Sequence, residues 1–192
     1  MRKIVLVIPI SAALIAGLVW YRLHRAPTTA APVAIASARR APQFQLYDEQ
    51  SQIVRLERYL GRHKLLIVFF DGTKGPDGSD LLNQLREGDQ FLPIHETGAV
   101  VLAIGALRPS ELRPPPNERG ERTIRDRPFP FPLLADFDGL VHRQYGAVDD
   151  TSGKTREAVF VIDRTGIIRH VHLGPDDLGT PGDWARELRQ VK

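Results

Sequence analysis

From residue 41 onward the chain is organised by continuous apolar runs. Leu65–Phe70 and Ala99–Leu107 contain no polar side chain, which marks strands buried on both faces of a sheet. Phe44 and Leu46 alternate with Gln43 and Gln45, predicting a short strand that ends at the turn-forming Asp48-Glu49-Gln50-Ser51. Val54-Arg55-Leu56 returns as its hairpin partner, and Leu56–Leu60 reads as a helical turn stopped by Gly61. Between the two apolar runs, Asp77–Glu87 carries helix signals. Asp77 can cap it, Asp80 falls in its first turn, Leu81, Leu82 and Leu85 form its apolar stripe, and Gly88 follows as a stop. Two buried strands joined through a helix predict a parallel βαβ unit. Leu140–Tyr145 reads as a short helix ending at Gly146. Ala158–Ile162 is a third apolar strand, turned by Asp163-Arg164-Thr165-Gly166 into an antiparallel return over Ile167–Leu173. Thr180-Pro181-Gly182-Asp183 is a Thr-x-x-Asp cap with Pro at the first helical position, opening a last helix that carries Trp184, Leu188 and Val191 on one side.

The N-terminal pattern is different. Ile4–Trp20 holds no charge, which at about 1.5 Å per residue is the short end of a membrane-spanning helix. Trp20 and Tyr21 sit where an interfacial aromatic belt belongs, followed by Arg22 and Arg25. A cleaved signal peptide is the competing reading. The run exceeds the usual apolar length of such peptides, and small-x-small sites come only around Ala34–Ala38, so an uncleaved anchor over residues 1–25 is the reading adopted. Residues 26–40, rich in Ala, Pro and Thr, read as a tether, and residues 41–192 as one folded domain. Two basic residues before the span and four after it argue for a cytoplasmic domain. The three-residue leading tail argues for export, and an extracytoplasmic, periplasmic placement is the expectation.

Charge follows the same division. Residues 1–40 contain Arg2, Lys3, Arg22, Arg25, Arg39 and Arg40 and no acid. The remainder holds 20 basic and 23 acidic residues, a balance of −3, so the pI of about 9.4 belongs to the N-terminal segment. Nucleic acid is therefore not an expected partner; the membrane is, through the N-terminal helix. Residues 108–132 carry arginines 108, 113, 119, 122, 125 and 127 among four acids, a solvated loop or an arginine surface for an acidic partner. The 192-residue chain has no cysteine and only its initiator methionine, which excludes disulfides, thiolate nucleophiles and cysteine-ligated metals.

The motifs and their order resemble the peroxiredoxin family, that is alkyl hydroperoxide reductases and thiol-specific antioxidant proteins. The resemblance covers residues 41–192. It rests on Ala41-Pro42-Gln43-Phe44-Gln45-Leu46, Tyr59-Leu60-Gly61, Phe131-Pro132-Leu133-Leu134-Ala135-Asp136-Phe137-Asp138-Gly139, Gln144-Tyr145-Gly146 and Phe160–Arg169. It implies an α/β thioredoxin-like, peroxiredoxin-type sandwich with a central mixed sheet. It also implies a loop reading T-P-x-C after the first buried strand, where a threonine and a distant arginine activate a peroxidatic cysteine. Here Gly75 stands for the threonine, Pro76 is retained, Asp77 follows, and Gly78 replaces the cysteine. The family's arginine position holds Glu157, with Arg156 one residue displaced as its candidate remnant. Against membrane-tethered thioredoxin-like proteins, Lys74-Gly75-Pro76-Asp77 falls on C-G-P-C, with Lys74 and Asp77 at the two cysteine positions. Thr155-Arg156-Glu157 lacks the proline those proteins place before the next strand, which favours the peroxiredoxin branch.

Other chemistry has thin support in the pattern. Ser79 stands near a helix start without a histidine close in sequence, and reads as an ordinary first-turn serine. Lys74 and Asp77 read as a surface pair and a cap. Asp71, Asp77 and Asp80, or Asp136 and Asp138, lack the alternating ligands of a calcium loop. His170 and His172 share a strand face and would need a third metal ligand from His63, His95 or His142. No catalytic, cofactor-binding or metal-ligating residue is assigned. The expectation is a membrane-tethered, cysteine-less pseudoenzyme acting as a binding or scaffold module for a protein partner. The rival is an enzyme using non-thiol, metal-assisted chemistry on the same fold.

Overall fold

The computed structural model describes residues 39–121, 125, 127–149 and 151–192. The expected anchor over 1–25 and nearly all of the expected tether lie outside the described residues. Among the described residues, no helix is long and apolar enough to cross a membrane.

Seven strands form one mixed sheet: β1 (Gln45–Asp48), β2 (Ile53–Arg55), β3 (Leu65–Phe70), β4 (Val100–Gly105), β5 (Leu133–Ala135), β6 (Ala158–Ile162) and β7 (Ile168–Leu173). Their spatial order is β2-β1-β5-β4-β3-β6-β7. β3 runs parallel to β4, in register from Leu65↔Val100 to Phe70↔Gly105, and β4 parallel to β5; the other pairs are antiparallel. The apolar runs occupy the centre because β3 and β6 are buried on both sides at every residue. β5 is a strand that its short Leu-Leu-Ala run does not announce; β1 and β4 flank it and supply its hydrogen bonds.

Among the described residues, four α-helices cover the sheet: α1 (Asp80–Arg86), α2 (Gly88–His95), α3 (Leu140–Tyr145) and α4 (Pro181–Gln190). On one face Leu82 and Leu85 of α1, Ile94 of α2, and Trp184 and Leu188 of α4 close over Leu66, Val68, Phe70, Val159 and Val161. Opposite them, Phe69, Tyr145 and Phe160 pack with ring centroids 5.2–5.6 Å apart, Phe160 edge-on to the other two. The expected capping box of α4 is present: the Thr180 hydroxyl accepts from the Asp183 amide, and the Asp183 carboxylate accepts from the Thr180 amide at 3.1 Å.

The helix expected over Asp77–Glu87 starts later. Pro76–Gly78 is a 3-10 turn, and Ser79, not Asp77, caps α1 by accepting from the Leu82 amide at 3.3 Å. Gly88 is not a stop either. Glu87 breaks the helix with extended dihedrals and Gly88 opens α2, which runs on with Pro93 inside it. The chain joins the domain at Arg39, whose carbonyl accepts from the Ile168 amide at 2.9 Å, and at Ala41, whose amide donates to Gly166. The turn between β6 and β7 is fixed by Asp163, which accepts from the amides of Thr165 and Ile167, the Thr165 hydroxyl and the Arg169 guanidinium.

Candidate functional site

β3 delivers the chain to the loop where the resemblance implies a reactive thiol. Asp71 caps the first 3-10 turn (Gly72–Lys74), accepting from the Thr73 amide at 3.0 Å and the Thr73 hydroxyl at 2.5 Å. These bonds hold its carboxyl below the usual aspartate range. Gly75 then reverses the chain at φ 70° and ψ 176°, a conformation open to glycine and costly for a threonine. Pro76–Gly78 makes the second 3-10 turn, and Ser79 starts α1.

Gly78, which the resemblance sets at the cysteine position, has no room for a side chain unless Lys74 moves. A Cβ added to Gly78 would lie 2.5 Å from the Lys74 Cβ, and both atoms are fixed to backbone.

Beside it lies a cleft of about 330 Å³ lined by Asp71, Lys74, Ser79, Asp80, Thr155, Arg156, Glu157 and Pro175. Burial pushes the Glu157 carboxyl above its usual pKa, and the nearby Asp71 and Asp80 charges add to the effect. Arg156 donates from one guanidinium nitrogen to the Gly146 carbonyl at 2.9 Å, and its Nε is buried without a partner. The candidate remnant arginine is thus committed to the C-terminal end of α3. The cleft mixes two bases with three carboxylates, an arrangement unlike a threonine–arginine pair that gathers around one thiolate.

Asp77 does not pair with Lys74 as expected. Its carboxylate accepts from Arg86 at 2.5 Å and Arg125 at 2.9 Å. Burial raises its pKa, but the bonds and charges of the two arginines outweigh that and hold it low. Arg125 also bonds Glu49 at 2.8 Å and the Leu112 carbonyl. Arg113 bonds the Glu49 carbonyl, and Arg127 the Glu87 carboxylate. Arg125 is therefore spent inside the domain and Arg113 is committed to the backbone at Glu49, whereas Arg127 stays at the surface, 61% exposed in its pair with Glu87. The approach of Arg125 to Asp77, 48 residues away, has no local sequence signal.

His142 and Asp136 form a pair that the sequence reading missed. Both side chains are fully buried, with Nδ1 and Oδ2 2.6 Å apart. The carboxylate also accepts from the amides of Val141 and His142. Burial pushes Asp136 up, but these bonds prevail and hold its pKa below the usual value. The spacing Asp-x₅-His across a turn was the available signal. His142 lies against Phe69, whereas His170 and His172 face Glu187 of α4 at 3.6 and 3.0 Å. The expected histidine pair is a real neighbourhood, but His142 is engaged elsewhere. Among the described residues, no group of three or more His, Cys, Asp or Glu could hold a metal ion.

Residues 38–171 match the model of the AhpC/TSA family. The chain belongs to that family. It is 33% identical over 135 residues to alkyl hydroperoxide reductase E of Mycobacterium tuberculosis, covering 69% of this chain and 82% of that protein. It is 44% identical over 51 residues to peroxiredoxin 2 of Thermoplasma acidophilum, covering 27% and 26%. Among solved structures, the fold is similar to peroxidoxin BcpB of Mycobacterium tuberculosis, with a TM-score of 0.63 at 20% identity, covering 81% of this chain and 97% of that one. The mitochondrial 2-cys peroxiredoxin of Plasmodium falciparum gives a TM-score of 0.59 at 17% identity, covering 79% and 91%. The mixed α/β sheet is thus a thioredoxin-like peroxiredoxin fold, in a chain without cysteine.

Proposed function

We propose that this AhpC/TSA-family chain is a membrane-tethered domain that has given up peroxide reduction and acts as a binding or scaffold module on the extracytoplasmic side. The observation that carries the catalytic half is the Lys74–Gly78 contact, which leaves no space for a side chain at the peroxidatic position. Loss of the sulfur alone would be one substitution from activity. Here Lys74 also crowds Gly78, Glu157 stands at the family's arginine position, and Arg156 is bonded to Gly146. The tether half is supported by the uncharged run Ile4–Trp20 and the Ala/Pro-rich segment after it. A pocket relieved of nucleophile geometry retains charge of both signs, which suits recognition of a polar partner.

The test is peroxide consumption by the full chain in detergent, with hydrogen peroxide and with cumene hydroperoxide, each with dithiothreitol as reductant. No rate above the protein-free control is expected, either for the natural sequence or for Gly78→Cys. A rate from the natural sequence that disappears in Arg156→Ala would overturn the reading.

A further inference from the structure

Four of the five large hydrophobic side chains exposed among the described residues lie on one side of the domain. Phe137 is 68% exposed, Leu140 and Tyr47 each 48%, and Ile53 pairs with Tyr47 across the β1–β2 hairpin. Phe137, Leu140 and Tyr47 rim a cleft of about 270 Å³ between β1 and the turn that leads into α3. None of them contributes to the remodelled loop or its cleft. Isolated surface apolar groups are ordinary, but a cluster around a concavity marks a contact surface.

Arginines surround this patch, each held by a residue of its wall. Arg39 donates to the Gln144 carbonyl at 2.6 Å, Arg143 to the Asp138 carbonyl at 2.9 Å, and Arg55 to the Gln45 side chain at 2.7 Å. Arg40 is exposed beside Arg39. The nearby carboxylates are engaged locally: Asp136 by His142, Asp138 by the Leu140 amide, Asp48 by the Gln50 and Gln52 amides. Glu57 lies 3.9 Å from Arg55. Apolar tips within a basic rim match an anionic lipid surface, whose headgroups meet the arginines while the rings enter the acyl boundary.

The chain path selects the same occupant. Arg39, at the N-terminal edge of the folded domain, is bonded to the wall of this cleft. Eighteen residues separate it from the end of the uncharged run Ile4–Trp20. A segment of that length has a root-mean-square reach of roughly 25 Å if flexible. A bilayer holding that run would present its headgroups to this side of the domain at high effective concentration.

We propose that the Tyr47–Phe137–Leu140 patch docks on the anionic bilayer surface that holds the N-terminus, orienting the domain on the membrane. This rests on the tethered reading above. Because the chain has no native cysteine, single labels are clean. The full chain, reconstituted in vesicles containing about one-third phosphatidylglycerol, would carry a fluorophore at Gln144→Cys or, away from the patch, at Asp176→Cys. Headgroup-quencher lipid is expected to quench the label at 144 at least about threefold more than the label at 176. Phe137→Ser with Leu140→Ser should remove the difference, and so should phosphatidylcholine vesicles. Arg39→Gln with Arg143→Gln, which spares the apolar tips, should reduce it, as should about 0.5 M salt, where the Debye length is about 4 Å. Equal quenching at the two positions overturns the docking, as does protection of position 144 that grows with protein density, which assigns the patch to a second copy. Release of the protein from the vesicles by alkaline carbonate overturns the tether and the docking together. Retention with equal quenching overturns the docking alone.

Discussion

The loop at residues 71–79 and the turn at residues 136–142 are both tied together by an aspartate, and they have fared differently. In the turn, Asp136 is buried with His142, and its carboxylate satisfies two amides of α3 and the imidazole at once. Removing any member leaves a polar group stranded among Phe69 and Tyr145. In the loop, Asp77 is half exposed and held by arginines from α1 and from the segment after β4. Its two arginine partners are only 13% and 8% exposed, so the carboxylate meets water on one side and nearly buried guanidinium groups on the other. The difference teaches that an aspartate answered by two amides and an imidazole can be closed off from water, whereas one answered by two arginines stays half open to it.

The sharpest way to break this contrast is Asp136→Ala. It strands the His142 imidazole and two amides in the interior, and a loss of about 3–5 kcal/mol is expected in denaturant unfolding. A loss below about 1 kcal/mol would show the turn to be as replaceable as the loop. Its acid dependence has a definite sign. A carboxyl whose folded pKa is depressed stabilises fully above its unfolded pKa of about 3.9, and that contribution disappears as pH falls through the folded value. The natural chain should therefore lose stability below about pH 4, with a weaker dependence in the variant.

Gly78→Ala probes the loop. The added Cβ must displace Lys74, and a cost of about 1–2 kcal/mol is expected, measured as a shift in the urea midpoint at unchanged slope. Recovery of stability in Gly78→Ala/Lys74→Gly would assign the cost to that contact.

The smallest effect should come from Glu157→Gln. The folded pKa of Glu157 is raised, so its ionised form opposes folding at neutral pH and ceases to do so as pH falls towards the unfolded pKa of about 4.3. The substitution should raise Tm at pH 7 by no more than about 2 °C, with the gain vanishing near pH 4. A lower Tm at pH 7 would mean the carboxylate makes a stabilising contact in the cleft.

Much of the fold was legible in the chain because the period and length of an apolar run encode burial directly. Leu65–Phe70, the Ala158–Leu173 hairpin and the Thr180–Asp183 cap each depend on residues close in sequence. β5 and α2 were not legible. A three-residue strand exists through the neighbours that bond it, and Gly88 starts a helix only because Glu87 breaks the previous one. At the site, the missing sulfur was plain in the composition, but the crowding of Gly78 by Lys74 was not.

By itself the sequence determined that thiol chemistry is absent, that the apolar strands occur in the family's order, and that the first 40 residues carry the excess positive charge. Only the tertiary structure decided that Gly78 has no room for a side chain, that Arg125 reaches Asp77 across 48 residues, and that Asp136 and His142 share a buried bond. The physical reason is one of range. Periodicity, capping and composition act between residues a few positions apart, whereas steric closure and ion pairing depend on distances that the chain acquires only when the sheet brings its segments together.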